Sequence, residues 1–152
     1  MSKPAPPGWN KTLDDLIAER KRGKRTVGIS NDEISWARDY ERSLLPSNTV
    51  FPRAGQLWEA IAECDVRVHY IFATAASSSG AGKLASGERV RILKGRNEPK
   101  PIHVSFLPVR HVDLLASLVP EDVRREPLYT GYVLSVKTAY FNKYFGLIED
   151  VT

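Results

Sequence analysis

Over the first third of the chain apolar residues recur every three or four positions, and after residue 51 they recur every second one. The pattern therefore predicts two helices followed by a β-rich body. Thr12 precedes Leu13, Leu16 and Ile17. Its hydroxyl is placed to take an orphan N–H, with Asp14 and Asp15 facing the positive end of the dipole. Gly23, after Arg20, Lys21 and Arg22, is the expected stop. The second helix begins more firmly: Ser30 and Glu33 have the spacing of a capping box, and Ile29 and Ile34 that of a hydrophobic staple. Ile34, Ala37, Tyr40, Glu41 and Leu44 repeat along one side with Glu41 the polar member, Trp36 lies beside them, and Leu45 and Pro46 close the helix.

In the body, 56–61 reads as a first strand. Val66, Val68, Tyr70 and Phe72 then alternate with Arg67, His69, Ile71 and Ala73, the signature of a half-buried strand. The small residues of 73–87 predict a loop, followed by strands at 89–93 and 102–107. A helix over 111–119 ends at Pro120, and a strand returns at 131–137. Thr138 is expected to cap a last helical turn carrying Tyr140, Phe141, Tyr144 and Phe145, before a short edge at Leu147 and Ile148. Residues 1–10, rich in proline and glycine, predict a mobile tail.

Charge divides the chain differently. Up to Arg25 there are seven cations against three anions, whereas the remainder carries fifteen of each sign, so the net charge of +4 belongs to the N-terminal arm. A length of 152 residues suits one domain, stable without metal or disulfide. The single cysteine, Cys64, fits a reducing compartment. With no apolar leader at the start and no stretch near the ~20 apolar residues of a membrane span, the expected location is cytoplasmic, with no membrane contact.

Candidate chemistry is sparse. Ser77 to Leu84 holds Gly80, Gly82 and Lys83 after an apolar strand, yet Ser77 replaces the first glycine of a phosphate loop and Leu84 its magnesium-holding hydroxyl. His103-Val104-Ser105 resembles half of the paired signature of two-histidine phosphoesterases. The second half is missing, since Ile71 follows His69 two residues on and Asp113 follows His111. Cys64 stands between Glu63 and Asp65, which discourage a thiolate. No catalytic residue, metal-ligand set or cofactor is assigned. The distinctive local feature is the cationic run Arg20, Lys21, Arg22, Lys24 and Arg25, a candidate for phosphate contact. Lys83 in the 74–87 loop, with Tyr129, Tyr140 and Tyr144 of the aromatic cluster, is the candidate surface for a protein partner.

The short strands, the long loop after the second, the segment Gly87-Glu88-Arg89-Val90-Arg91-Ile92 and the late Gly131-Tyr132-Val133 resemble a bacterial SH3-like small barrel over about 51–150. The resemblance implies a closed, strongly bent sheet whose loops do the binding. The expected fold is thus α+β: a basic helical arm over 1–50, then, over 51–152, a five- or six-stranded, mostly antiparallel SH3-like β-barrel with an inserted helix. The segment Phe51-Pro52-Arg53-Ala54-Gly55-Gln56-Leu57-Trp58 also resembles the first strand of MazF/PemK-type toxin endoribonucleases, which implies cleavage of single-stranded RNA. The leading expectation is a non-catalytic binding protein for an acidic partner, nucleic acid first. The alternatives are a protein-interaction or inhibitory module of a bacterial or phage accessory system, and a MazF/PemK-like endoribonuclease.

Overall fold

The structure is a computed structural model that describes residues 3–23, 28–74, 76–95, 98 and 100–151. The chain divides into two compact units, Met1–Asn48 and Thr49–Thr152.

The first unit holds two capped helices. In α1 (Leu13–Lys21) the Thr12 hydroxyl accepts from the Asp15 amide, and the Asp15 carboxylate accepts from the Thr12 amide in return. The helix closes at Arg22, with Gly23 beyond it at φ +71°, a conformation glycine adopts without a Cβ penalty. In α2 (Asn31–Ser43) Ser30 and Glu33 form the expected reciprocal box. Leu16 and Ala37 are fully buried, and the rings of Trp9 and Trp36 meet edge-on at 5.2 Å. Leu44, placed on the apolar side by its spacing, is instead largely exposed, because it caps the helix after the last regular turn.

In the second unit the order is β1 (Leu57–Ala60), β2 (Cys64–Phe72), β3 (Ser77–Leu84), β4 (Arg89–Ile92), β5 (His103–Pro108), α3 (Leu115–Leu118), α4 (Glu121–Arg124), β6 (Tyr129–Lys137), α5 (Thr138–Tyr144) and β7 (Phe145–Glu149). The strands form one antiparallel sheet in the order β3-β2-β6-β5-β4-β1-β7. This corrects the expected barrel. The sheet has seven strands rather than five or six and is open, with β3 and β7 at its two ends. Closure would require the strands' own side chains to fill the interior. Here the inner face, from Val66, Val68 and Tyr70 through Leu134 and Phe106 to Trp58, is covered by Leu118 of α3 and Phe141 of α5.

The core is a packed aromatic stack. Phe141 and Phe145 lie parallel with centroids 4.3 Å apart, Phe106 meets both, and Trp58 meets Phe141 edge-on at 5.0 Å. Each fully buried ring contributes about 1.5–3 kcal/mol, and each good ring pair about 0.5–1.5 more. Thr138 does not cap α5. It is the first helical residue, buried, and its hydroxyl donates to the Pro101 carbonyl at 2.6 Å.

Two further expectations change. The predicted helix over 111–119 is a run of turns followed by the single turn α3, and a second short helix, α4, follows Pro120. The predicted loop over 73–87 is mostly a strand: β3 pairs with β2 residue by residue from Cys64↔Leu84 to Ile71↔Ser77. Its serines and glycines have poor strand propensity, and it is a strand because β2 offers a long regular template. A Cβ on Gly80 would lie 2.2 Å from the Tyr70 hydroxyl oxygen, and one on Gly82 would lie 2.9 Å from both Leu118 Cδ2 and Val68 Cγ2. The small residues let the core close against this strand.

Candidate functional site

The period of two along β2 sends Asp65, Arg67, His69 and Ile71 to the face opposite the helices, and register brings Ser79 of β3 and Ser135 of β6 beside them. Arg67 donates to Ser79 Oγ at 2.9 Å, and His69 Nε2 and Ser135 Oγ are 2.6 Å apart. Burial and the neighbouring Arg67 charge lower the His69 pKa from its ordinary 6.5, so the imidazole is neutral at pH 7. A serine and a neutral histidine at this distance resemble a nucleophile and its base. Ser135, however, is a mid-strand residue in register with both Arg67 and Ser105, so its amide belongs to a ladder rather than to an oxyanion site. The four side chains brace the outer face of the sheet.

At one end of β2 the pairing with β6 stops at Arg67 and Ser135, and the Asp65 amide donates to the Tyr140 hydroxyl at 2.8 Å. A cleft of about 320 Å³ opens there, bordered by Arg67, Ser135, Lys137 and Tyr140. Lys83 belongs to this end, its ammonium 3.6 Å from Glu63 and 3.7 Å from Asp65. Tyr144 is half-buried against Tyr140, with centroids 4.4 Å apart. Tyr129 lies at the other end of β2, opposite Phe72, the two rings edge-on at 6.2 Å. Seven residues of strand, about 23 Å, separate the two ends. Lys83, Tyr140 and Tyr144 are thus brought together and Tyr129 is not.

Sequence reasoning placed a partner surface on 74–87 but read it as a loop; what it missed is that 77–84 form the edge of the sheet. β3 is the terminal strand, and Ser77, Ser78, Ser79 and Ala81 are exposed. Among the described residues no backbone hydrogen bond reaches its outer side. Where β3 begins, a cleft of about 550 Å³ lies between Phe72, Ala76 and Ser78 on the strand side and Val123 and Leu128 on the other. The complementarity of 77–84 to the alternating strand only a few residues before it was the available signal.

Of the cationic run, Arg20, Lys21 and Arg22 are exposed on the last turn and cap of α1, where the dipole favours cations, and Arg22 Nε donates to the Ala18 carbonyl. Lys24 and Arg25 lie outside the described residues. Cys64 is buried. Desolvation first, then Asp65 and Glu63, push its pKa from 9.0 to about 11, which leaves an inert thiol. Among the described residues no group of three His, Cys, Asp or Glu side chains is placed to hold a metal, and no helix is long and apolar enough to cross a membrane.

Family models, curated proteins and solved structures yield no match to this chain.

Proposed function

We propose that this protein is a protein-interaction module that receives an extended segment of its partner along β3. The observation that carries this reading is the edge itself. Eight consecutive residues pair regularly with β2 on one side, without proline or bulge, and five of them, Ser77, Ser78, Ser79, Ala81 and Lys83, are exposed at the edge. Proteins ordinarily blunt such edges with charge, proline or irregularity, and a strand added to one gains affinity from main-chain hydrogen bonds. The one charged residue of β3, Lys83, has two carboxylates beside it. The test compares the wild type with a Ser77→Lys, Ala81→Lys variant as baits in nuclease-treated lysate. A stoichiometric protein captured by the wild type and lost by the variant is expected. Equal capture by both, or recovery of nucleic acid alone, overturns the reading.

A second reading, nucleic-acid contact through the arm, is supported by the exposure of Arg20, Lys21 and Arg22 at one helix end. Replacing all three with glutamine would then reduce the slope of log affinity against log salt by about 2–3. An unchanged slope removes the arm from consideration.

A further inference from the structure

We infer that the cleft at the start of β3 takes one bulky apolar side chain of the incoming segment, and that Asp122 and Glu126 select a lysine or arginine beside it. The inference rests on the reading of β3 as a docking edge. It adds the chemistry of what docks.

Three observations converge on this end of the strand. The cleft has walls of Phe72, Val123 and Leu128, and its volume of about 550 Å³ lies within the roughly 300–1,000 Å³ of ligand clefts. Leu128 stands 50% exposed at its lip, an apolar surface that the second unit itself does not cover with another of its side chains. Ser78 both lines the cleft and belongs to β3, opposite the buried Tyr70, so its side chain points to the helix-covered face. Side chains alternate along a strand. An added strand running past Ser78 therefore turns every second side chain to the face on which the cleft opens, and the one beside Ser78 into the cleft.

Charge names the neighbour of that side chain. Glu121 is paired with Arg125 across one turn, and Arg124 turns inward to donate to the Val119 carbonyl at 3.1 Å. The two acids of this segment that remain, Asp122 and Glu126, stand four residues apart and line the cleft, both exposed. A cation on the partner is attracted there and a phosphate backbone is repelled, so the occupant is a peptide rather than a nucleic acid. A second copy of β3 fits poorly, since serine, glycine and alanine fill 77–82 and offer the cleft no bulky side chain.

The probe is a fluorescein-labelled peptide of roughly eight residues, the length of β3, with alternating threonine and valine, one central phenylalanine and a lysine near it on each side. Three analogues replace the phenylalanine with alanine, replace the lysines with glutamates, or carry N-methyl groups on alternate amides. Fluorescence anisotropy with the full chain is expected to show the parent bound about ten times more tightly than the alanine and glutamate analogues, and the N-methylated one not bound. The surface variant Asp122→Lys, Glu126→Lys, checked for an unchanged melting temperature, is expected to prefer the glutamate peptide. Binding that is lost on N-methylation but indifferent to phenylalanine and to charge overturns this inference and leaves the β3 edge standing. Binding indifferent to N-methylation, or none with any of the peptides, overturns both.

Discussion

β7 and β3 each end the sheet, and each has a neighbouring strand on one side, but they are secured by different means. β7 has five residues, and its ladder with β1 shifts register between Leu57 and Trp58. Phe145 anchors it in the core, 3% exposed and stacked on Phe141. Its far end is clamped: Gln56 is buried and donates to Asp150 at 2.7 Å while its own oxygen accepts from Arg53 and from Trp58. β3 has eight regular pairs and one buried anchor, Leu84, at its end. A short, bulged strand whose end is tied down presents little to a new strand, whereas a long regular one presents a template. The contrast puts the packed, tied-down edge on the β7 side and the open template on the β3 side.

The largest test of that contrast is Phe145→Ala, which should cost about 3–5 kcal/mol in denaturant unfolding, because a stacked ring leaves a cavity in a close-packed core. A cost below 1 kcal/mol would mean that β7 is not anchored by its ring. Next comes one glycine from each edge strand. Gly82→Ala drives a methyl into Leu118 and Val68 and should cost about 1–3 kcal/mol, whereas Gly146→Ala meets Ile61 Cγ2 at an ordinary 3.5 Å and should stay within about 0.5 kcal/mol. Equal costs would show that β3 adjusts freely against the core.

Acid should act on the two sides at different pH. Because the folded His69 pKa lies below 6.5, protons favour the unfolded state. The stability it contributes is whole above pH 6.5 and is lost as pH falls through the depressed value. Asp150, held below its ordinary 3.8 first by the Gln56 amide and then by the Val151 amide, keeps its contribution until pH falls below 3.8. Hydrogen exchange followed from pH 7 to 5 should show β2 and β3 loosening first, and His69→Gln should remove that early change. Simultaneous loosening of both edges would break the contrast. The smallest effect is kinetic: Cys64, opposite Leu84, should resist thiol reagents at pH 8 in the native protein and react once unfolded. Fast reaction of the native thiol would show that this end of β3 frays.

Much of this architecture is written locally. The caps at Thr12 and Ser30 follow from side chains competing for the orphan amides of a helix start, an interaction that spans three residues and needs nothing distant. Likewise, the alternation from Val66 to Phe72 marks β2 and its buried side. The candidate partner-surface residues were harder to read. Tyr129, Tyr140 and Tyr144 looked alike as a cluster, but β6 and α5 carry them to different ends of β2. Phe72, Val123 and Leu128 are 51 and 56 residues apart in the chain from the first to the other two, and no local pattern announces their cleft.

By itself the sequence determined the starts of α1 and α2 and the inward face of β2, since each depends on neighbours a few residues away, whereas the inertness of Cys64 owes more to its burial than to the two acids beside it. Only the tertiary structure decided that the sheet stays open, that β6 lies between β2 and β5, and that a serine- and glycine-rich segment is a strand. Strand pairing is set by partners far along the chain. A segment of weak intrinsic preference takes its conformation from the template beside it, and the edge it leaves exposed is a property of the sheet.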